Sequence, residues 1–386
     1  MDTVLEFRKQ LAGARRVVVK IGSRVLVQGN GRPDLRRMKA LVHEVALQQQ
    51  SGREMVVVTS GAIAAGMEAL GLARRPKNLP DLQMAAAVGQ TRLMTRYDEF
   101  FSAERCRVGQ VLLTHDGLKT RNRHLNARNA LLNLLQHRII PIINENDAVA
   151  VEEIKFGDND LLAALVALLI EADLLILLTT VDGLRAPGPQ GRTRRVPFLA
   201  SVTRRELAMV FGDQNELSTG GMASKLQSAH SAARAGTPVV IADGRRPAYI
   251  SGILAGEDRG TLIGRPGAGR AWTARHRWIA FFHKSQGAVV VDDGARDALV
   301  HRGTSLLPIG VRAVEGNFRA GAVVDVRSAG GETIGRGLAD YSAEDLRRIM
   351  GHKSADIAAL LGACDFDEVI HRDNLVVFEC EEETDL

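Results

Sequence analysis

What is scarce in these 386 residues narrows the field first. Only three cysteines occur, Cys106, Cys364 and Cys380, far apart and in no CxxC pattern. That argues against a disulfide framework and predicts reduced thiols in a cytoplasm. There is no HExxH and no Cys/His cluster, so no dedicated transition-metal site is expected. Neither GxxxxGK[ST] nor GxGxxG is present, which disfavours the common nucleotide folds. The opening stretch, MDTVLEFRKQLAGARR, carries Asp2 and Glu6 and lacks an apolar core, so it does not read as a signal peptide. The most apolar stretch, 161–181, is broken near its middle by Glu171 and Asp173, the worst depth for a charge in a bilayer. It is expected to be a buried helix running into a central parallel strand, not a membrane span. The net charge of +5 is small for this length and gives no basis for nucleic-acid or membrane binding.

What remains is an ordinary soluble composition, 45% hydrophobic and 25% charged with no low-complexity tract, long enough for about two to three domains. Short Val/Ile/Leu runs recur at 16–20, 55–59, 108–113, 139–143, 174–178 and 238–242. Helix-like segments lie between them at 34–50, 85–101, 122–136, 158–171 and 222–235; in 85–101, Met94, Tyr97 and Phe101 share one face. This alternation predicts an α/β domain, a mostly parallel sheet sandwiched by helices, over 1–268. RPGAGRA at 265–271 reads as a linker. Beyond it, WIAFF, GAVVVDDG, GVRAVEGNFRAGAVVDV and GETIGRGLADY read as short, closely spaced strands, with a helical stretch near 343–361. They predict a small β-rich domain over 275–378, followed by an acidic tail at 379–386.

Three strand ends carry chemistry. VVVTSGAIAAG at 56–66 delivers Ser60 and Gly61 at the end of an apolar run, where a parallel sheet places its ligands. Lys20 closes the first strand and is followed by Gly22 and Ser23; STGGMASK at 218–225 places Gly220 and Gly221 ahead of a helix with Lys225 one turn inside. A glycine turn beside a lysine suits a phosphate. Each turn alone equally suits an ordinary packed connection, and a lone strand-end lysine is usually surface. PIINENDAV at 141–149 adds Asn144, Glu145, Asn146 and Asp147 after a buried strand. GDND adds Asp158, Asn159 and Asp160 at the head of an apolar helix. One of those three suffices as a cap, and Asp160, inside the helix proper, needs another reason.

Taken in order, Lys20-x-Gly22-Ser23, VTSGAIAAG, QMAAAVGQ, INENDAVA, GDND and TGGMASK resemble the amino-acid kinase superfamily, and within it the glutamate 5-kinases, over roughly 15–265. The remainder, with GTSLLPIGV, VEGNF and RRIMGH, resembles a PUA domain. The resemblance implies ATP-dependent phosphorylation of the γ-carboxylate of L-glutamate, the first step of proline biosynthesis, with Mg²⁺ arriving on ATP and no protein metal ligand named. It implies catalytic roles for Lys20, Asp158, Asp160 and Lys225, and glutamate contacts at Ser60, Asn144, Asp147 and Asn159. Nucleotide contacts fall on Lys20, Gly22, Thr179, Thr180, Thr219, Gly220, Gly221, Met222, Ala223, Ser224 and Lys225. Gly22 and the Ser60–Gly61 turn would supply N–H donors, and the small residues after Ser60 would let the backbone approach substrate. A homo-oligomer, dimer or tetramer, and feedback inhibition by L-proline are further implications.

The chemistry agrees with that assignment. A γ-carboxylate with a pKa of about 4.3 is ionised at neutral pH, so no general base is needed, and no histidine stands beside these motifs. The difficulty is electrostatic, because an anion approaches a triphosphate. Two departures stand out. Arg24 follows Ser23 where the family has a second small hydroxyl, and Thr179-Thr180 stand where it has Thr-Asp, with Asp182-Gly183 slightly later. Kinases of aspartate or N-acetylglutamate are the nearest alternative, and Asp147, suited to a free ammonium, together with the INENDAVA match speaks for unmodified glutamate. An RNA-binding role for the second domain is the more distant one. Residues 276–355 hold eleven Lys/Arg against nine Asp/Glu, too even for an RNA footprint.

Overall fold

The computed structural model describes residues 2–29, 31–149, 159–187, 192–203, 206, 221–266, 273–282, 285–362 and 366–378. The chain divides into two compact units, Met1–Ala271 and Trp272–Leu386.

In the first unit, eight strands form one sheet: β1 (Arg16–Ile21), β2 (Glu54–Val58), β3 (Arg107–Leu113), β4 (Ile139–Glu145), β5 (Leu174–Thr179), β8 (Phe198–Leu199), β9 (Val239–Asp243) and β10 (Thr261–Ile263). A small hairpin, β6 (Arg185–Pro187) with β7 (Thr193–Arg195), stands apart. The sheet order is β3-β4-β2-β1-β5-β9-β10-β8, and every pairing is parallel except β9 with β10. The central strands are covered on both faces, which is why they read as unbroken apolar runs rather than alternating ones. Val17, Val18 and Val19 are fully buried, as are Met55 to Val58 and Leu174 to Leu178. Each such side chain contributes about 1.5–3 kcal/mol of transfer free energy. β3 is an edge strand and mixes exposed with half-buried positions. All six strands expected in this unit are present within two residues of their expected ends. The short β8 and the antiparallel β10 were not expected, because two- and three-residue strands leave no periodic signal.

Helices α1 (Asp2–Gln10), α2 (Ser23–Leu26), α3 (Leu35–Gln50), α4 (Ala62–Ala69), α5 (Leu79–Ala103), α6 (His115–Lys119), α7 (Arg121–Gln136), α8 (Asn159–Leu169), α9 (Met222–Arg234) and α10 (Tyr249–Leu254) flank the sheet. The stretch 161–181 is α8 followed by β5, and no described helix is long and apolar enough to cross a membrane. The small residues after Ser60 also have a packing role. A Cβ on Gly66 of α4 would lie 1.8 Å from the Ala85 carbonyl oxygen, and one on Gly89 of α5 would lie 1.8 Å from that of Ala62. The stripe of Ala and Gly lets α4 and α5 press backbone to backbone, which fixes the turn at the end of β2.

The second unit holds a five-stranded sheet, β12-β11-β13-β14-β15, from β11 (Gly287–Val291), β12 (Val311–Gly316), β13 (Val323–Arg327), β14 (Thr333–Leu338) and β15 (Leu375–Val377). Only β11 with β13 is parallel. Val289, Val324, Val326, Ile334, Leu346 and Ile370 form its core. WIAFF is not a strand: it lies in helix α11 (Ala274–Phe281), capped by Thr273, whose hydroxyl accepts from the His276 N–H at 3.2 Å. A short apolar run cannot by itself separate strand from helix, and here the cap decides. Helix α12 (Asp293–Arg302), not expected, starts on Asp292 in the same way. The expected helical stretch is two short helices, α13 (Ala343–Ile349) and α14 (Ile357–Leu361). Most of the expected linker, 267–271, and all of the acidic tail lie outside the described residues.

Candidate active site

A cleft of about 1180 Å³ opens at the carboxyl ends of β1, β2, β4 and β5. Four strands each deliver polar groups there: Lys20 from β1, Ser60 just after β2, Asn144 and Glu145 from β4, and Thr179 from β5. The amino ends of α8 and α9 close it with Asn159, Asp160, Gly221, Met222 and Lys225. This is the ligand-binding end of an open parallel sheet.

The strongest electrostatic feature is a buried triad. Asp160 is fully buried, and its two carboxylate oxygens face two nearly buried lysines, Lys20 Nζ at 2.5 Å from Oδ1 and Lys225 Nζ at 2.7 Å from Oδ2. Burial by itself would push the Asp160 carboxyl up; the two ammonium groups outweigh it and hold the pKa down at about 2. Two cations share one anion, so the triad keeps one net positive charge facing the cleft. The position inside α8 that capping did not explain is thus the hub joining β1 to α9.

The same cleft also holds a chain of amides. Asn159 Nδ2 donates to the Thr59 carbonyl at 2.6 Å and to Asn144 Oδ1 at 2.8 Å, with Ser60 Oγ at 3.4 Å. Asn144 Nδ2 donates in turn to Gln90 Oε1 at 2.8 Å. Thr59 is itself held from two sides. Its N–H donates to the Ile143 carbonyl at 2.8 Å, and its hydroxyl lies 2.6 Å from that of the fully buried Tyr97. Burial pushes the Tyr97 phenol well above its ordinary value, so it stays a neutral hydrogen-bonding group. Gly61 has φ +99°, a backbone conformation that any side chain would strain. Asp147 lies in the turn after β4, half-buried, and lines the same cleft.

The amino acid kinase family matches residues 15–243, and the PUA domain matches residues 287–361. Relatives named glutamate 5-kinase align over nearly the whole chain. That of Moorella thermoacetica is 46% identical over 97% of this chain and 99% of its own. That of Geobacter sulfurreducens is 45% identical over 95% and 98%, and that of Myxococcus xanthus 46% over 98% and 100%. This chain belongs to the glutamate 5-kinases.

Of the residues that glutamate 5-kinase resemblance singled out, Lys20, Gly22, Ser60, Asn144, Asp147, Asn159, Asp160, Thr179, Thr180, Gly221, Met222 and Lys225 line the one cleft. Ala223 and Ser224 do not line it, since they follow Gly221 and Met222 around α9. Asp158, Thr219 and Gly220 lie outside the described residues. Gly22 corrects an expectation: its N–H is already donated to the Leu178 carbonyl at 3.0 Å and is not available to a phosphate. What the position needs is the missing side chain, because a Cβ there would lie 3.1 Å from that carbonyl and 4.0 Å from Lys20 Nζ. Arg24 and Thr180, the two departures from the family pattern, both line the cleft, whereas Asp182 is paired with Arg185 at 2.7 Å. Sequence reasoning missed Gln90 and Tyr97. Gln90 closes the motif QMAAAVGQ and is legible as part of it; the spacing of Tyr97 marks it only as one face of a core helix, which it also is.

Proposed function

We propose that this chain transfers the γ-phosphoryl group of ATP to the γ-carboxylate of L-glutamate, giving L-glutamate 5-phosphate and ADP, the first step of proline biosynthesis. The observation that carries this reading is one cleft lined both by a buried Lys–Asp–Lys triad and by a set of hydrogen-bonding groups with Asp147. A carboxylate oxygen of glutamate forms a bond to the γ-phosphorus as the bond to the β–γ bridging oxygen breaks, and ADP leaves. No proton has to be taken from the acceptor, so the catalytic demand is for positive charge held in place around the transferring group. Lys20 and Lys225 supply it, one toward the transferring phosphoryl and one toward the leaving side. Asp160 keeps them a fixed distance apart. Gly22 leaves room beside Lys20, and Thr179, Thr180, Gly221 and Met222 form the nucleotide wall.

Mg²⁺ belongs to this reaction as the ion that neutralises and orients the ATP phosphates. No group of three or more His, Cys, Asp or Glu able to hold a metal exists among the described residues, and Asp160 is committed to its lysines. Mg²⁺ needs no more than one or two carboxylates beside phosphate oxygens and water, and in this reading it arrives on ATP with no protein ligand assigned.

Hydroxamate formation from glutamate, ATP and hydroxylamine tests the reaction. Glutamate should give product while aspartate and N-acetylglutamate give little; product from either competitor at a comparable rate would reassign the substrate. In this reading Asp147, which lines the cleft, meets the substrate ammonium. Asp147→Ala should therefore raise the KM for glutamate roughly tenfold or more, with far less change in the KM for ATP. Equal changes in both constants would remove Asp147 from the substrate site.

Residues 1–268 form the catalytic domain in this reading, because every group named above precedes residue 226. A chain ending near 268 should still release ADP in response to glutamate, and a folded but inactive truncation would show that the second domain completes the site. The near-balanced charge of 276–355 predicts RNA binding no tighter than about micromolar at physiological salt. Family membership also supports a cytoplasmic homo-oligomer, dimer or tetramer, inhibited by L-proline.

A further inference from the structure

The reaction above does not use Gln90, the last residue of QMAAAVGQ. The chain of amides that starts on it has a direction, and the direction is forced. The Thr59 carbonyl can only accept, so the Asn159 atom 2.6 Å from it is the nitrogen. The second hydrogen of that nitrogen goes to Asn144 Oδ1 at 2.8 Å. Asn144 must then offer its own nitrogen at the far side, where Gln90 Oε1 accepts at 2.8 Å. The remaining atom of Gln90, Nε2, is buried and has no hydrogen-bond partner among the described residues, as expected of the end of a chain that runs one way. Two good hydrogen bonds occupy both hydrogens of Asn159, so Oδ1 is the atom it keeps for the cleft.

We propose that Gln90 is a positioning residue that anchors this amide chain: by accepting from Asn144 Nδ2 it holds Asn144 Oδ1 on Asn159 Nδ2, so that Asn159 presents an oxygen to the cleft and selects a substrate group that donates, the free ammonium of an amino acid. Asn159 by residue type alone could equally donate to a carboxylate; the chain removes that choice. Gln90 acts from α5, through Asn144, without touching substrate. If its acceptor is lost, the Asn144 nitrogen is left without a partner, Asn144 Oδ1 is no longer held on Asn159, and Asn159 loses its fixed orientation. This inference rests on the glutamate reading above and adds to it the means by which the amine is recognised.

The test uses the full-length chain with Gln90→Leu, which keeps bulk and removes the acceptor, and Gln90→Glu, which keeps an accepting oxygen. Melting temperatures confirm that each is folded. For Gln90→Leu, the KM for glutamate should rise about tenfold, the scale of one hydrogen bond, while kcat and the KM for ATP change much less. Inhibition by glutarate, which lacks the amine, should be unaffected, so the preference for glutamate over glutarate narrows by the same factor. Gln90→Glu should restore most of the glutamate affinity. An unchanged KM in Gln90→Leu, an equal loss of glutarate binding, or a Gln90→Glu variant no better than Gln90→Leu would each overturn the proposal. Wild-type enzyme that forms no product from glutamate would instead overturn the substrate assignment, and the two failures are read from different proteins.

Discussion

Asp160→Asn is expected to lower kcat by about 10²–10³-fold, the loss typical of a disrupted preorganised charge site. The substitution changes no volume, so packing around α8 should survive. What changes is that an amide offers one acceptor and one donor where a carboxylate offers two acceptors. One of Lys20 and Lys225 therefore keeps a partner and the other meets an N–H₂ group of its own kind. Both lysines are nearly buried, and two uncompensated ammonium groups in that setting repel each other and move apart. The γ-phosphoryl group is then flanked by charges in the wrong places. A variant with near-normal turnover would reduce Asp160 to a structural helix residue.

The same carboxylate has a signature in acid. Its folded pKa, about 2, lies below the ordinary 3.8, so its pairing stabilises the native state at every pH above the ordinary value. That contribution, about 2 kcal/mol by linkage, is lost as pH falls from about 4 through about 2. Wild type should therefore lose more stability than Asp160→Asn across that window when both are unfolded by urea, and parallel losses would mean that the triad is not charged as described.

The central sheet was legible because buried parallel strands must be apolar on both faces, and Val17 to Val19 or Leu174 to Leu178 could hardly be anything else. Lys20, Asp160 and Lys225 were legible for the opposite reason. Each is a charge in a setting that should repel one, and only their mutual proximity resolves the conflict. Gly22 was misread because a glycine at a strand end looks the same whether it frees an N–H or only leaves space; the Leu178 carbonyl that takes its N–H comes from β5, far along the chain. WIAFF reads as a strand because five apolar residues carry no period; the signal for a helix is the Thr273 cap that precedes it. Gln90 stood in plain view within QMAAAVGQ, yet its partner is Asn144, 54 residues away, and the direction of the amide chain depends on a Thr59 carbonyl that no residue type reveals.

Gly89→Ala is expected to destabilise the protein by about 3 kcal/mol, a heavy loss against a total stability of ~5–15 kcal/mol. The sign of this effect is not obvious, because Gly89 lies inside α5 and alanine in a helix interior ordinarily gains about 1 kcal/mol over glycine. Geometry decides against alanine. The new Cβ would stand 1.8 Å from the Ala62 carbonyl oxygen and 2.4 Å from the Gly66 nitrogen, both backbone atoms that cannot rotate aside. Relief requires α4 and α5 to separate, which opens the packing at Leu82, Ala85 and Ala86 on one side and shifts Ala62, the residue after Gly61, on the other. The next residue of α5 is Gln90, so the amide chain moves with the helix, and the KM for glutamate should rise in whatever fraction remains folded. Gly13→Ala is the control: a Cβ there meets nothing within 4 Å, and its effect should stay within about 0.5 kcal/mol. Thermal melts of the two variants beside wild type decide the matter. If Gly89→Ala melts with wild type, α4 and α5 do not touch backbone to backbone, and the small residues after Ser60 require another explanation.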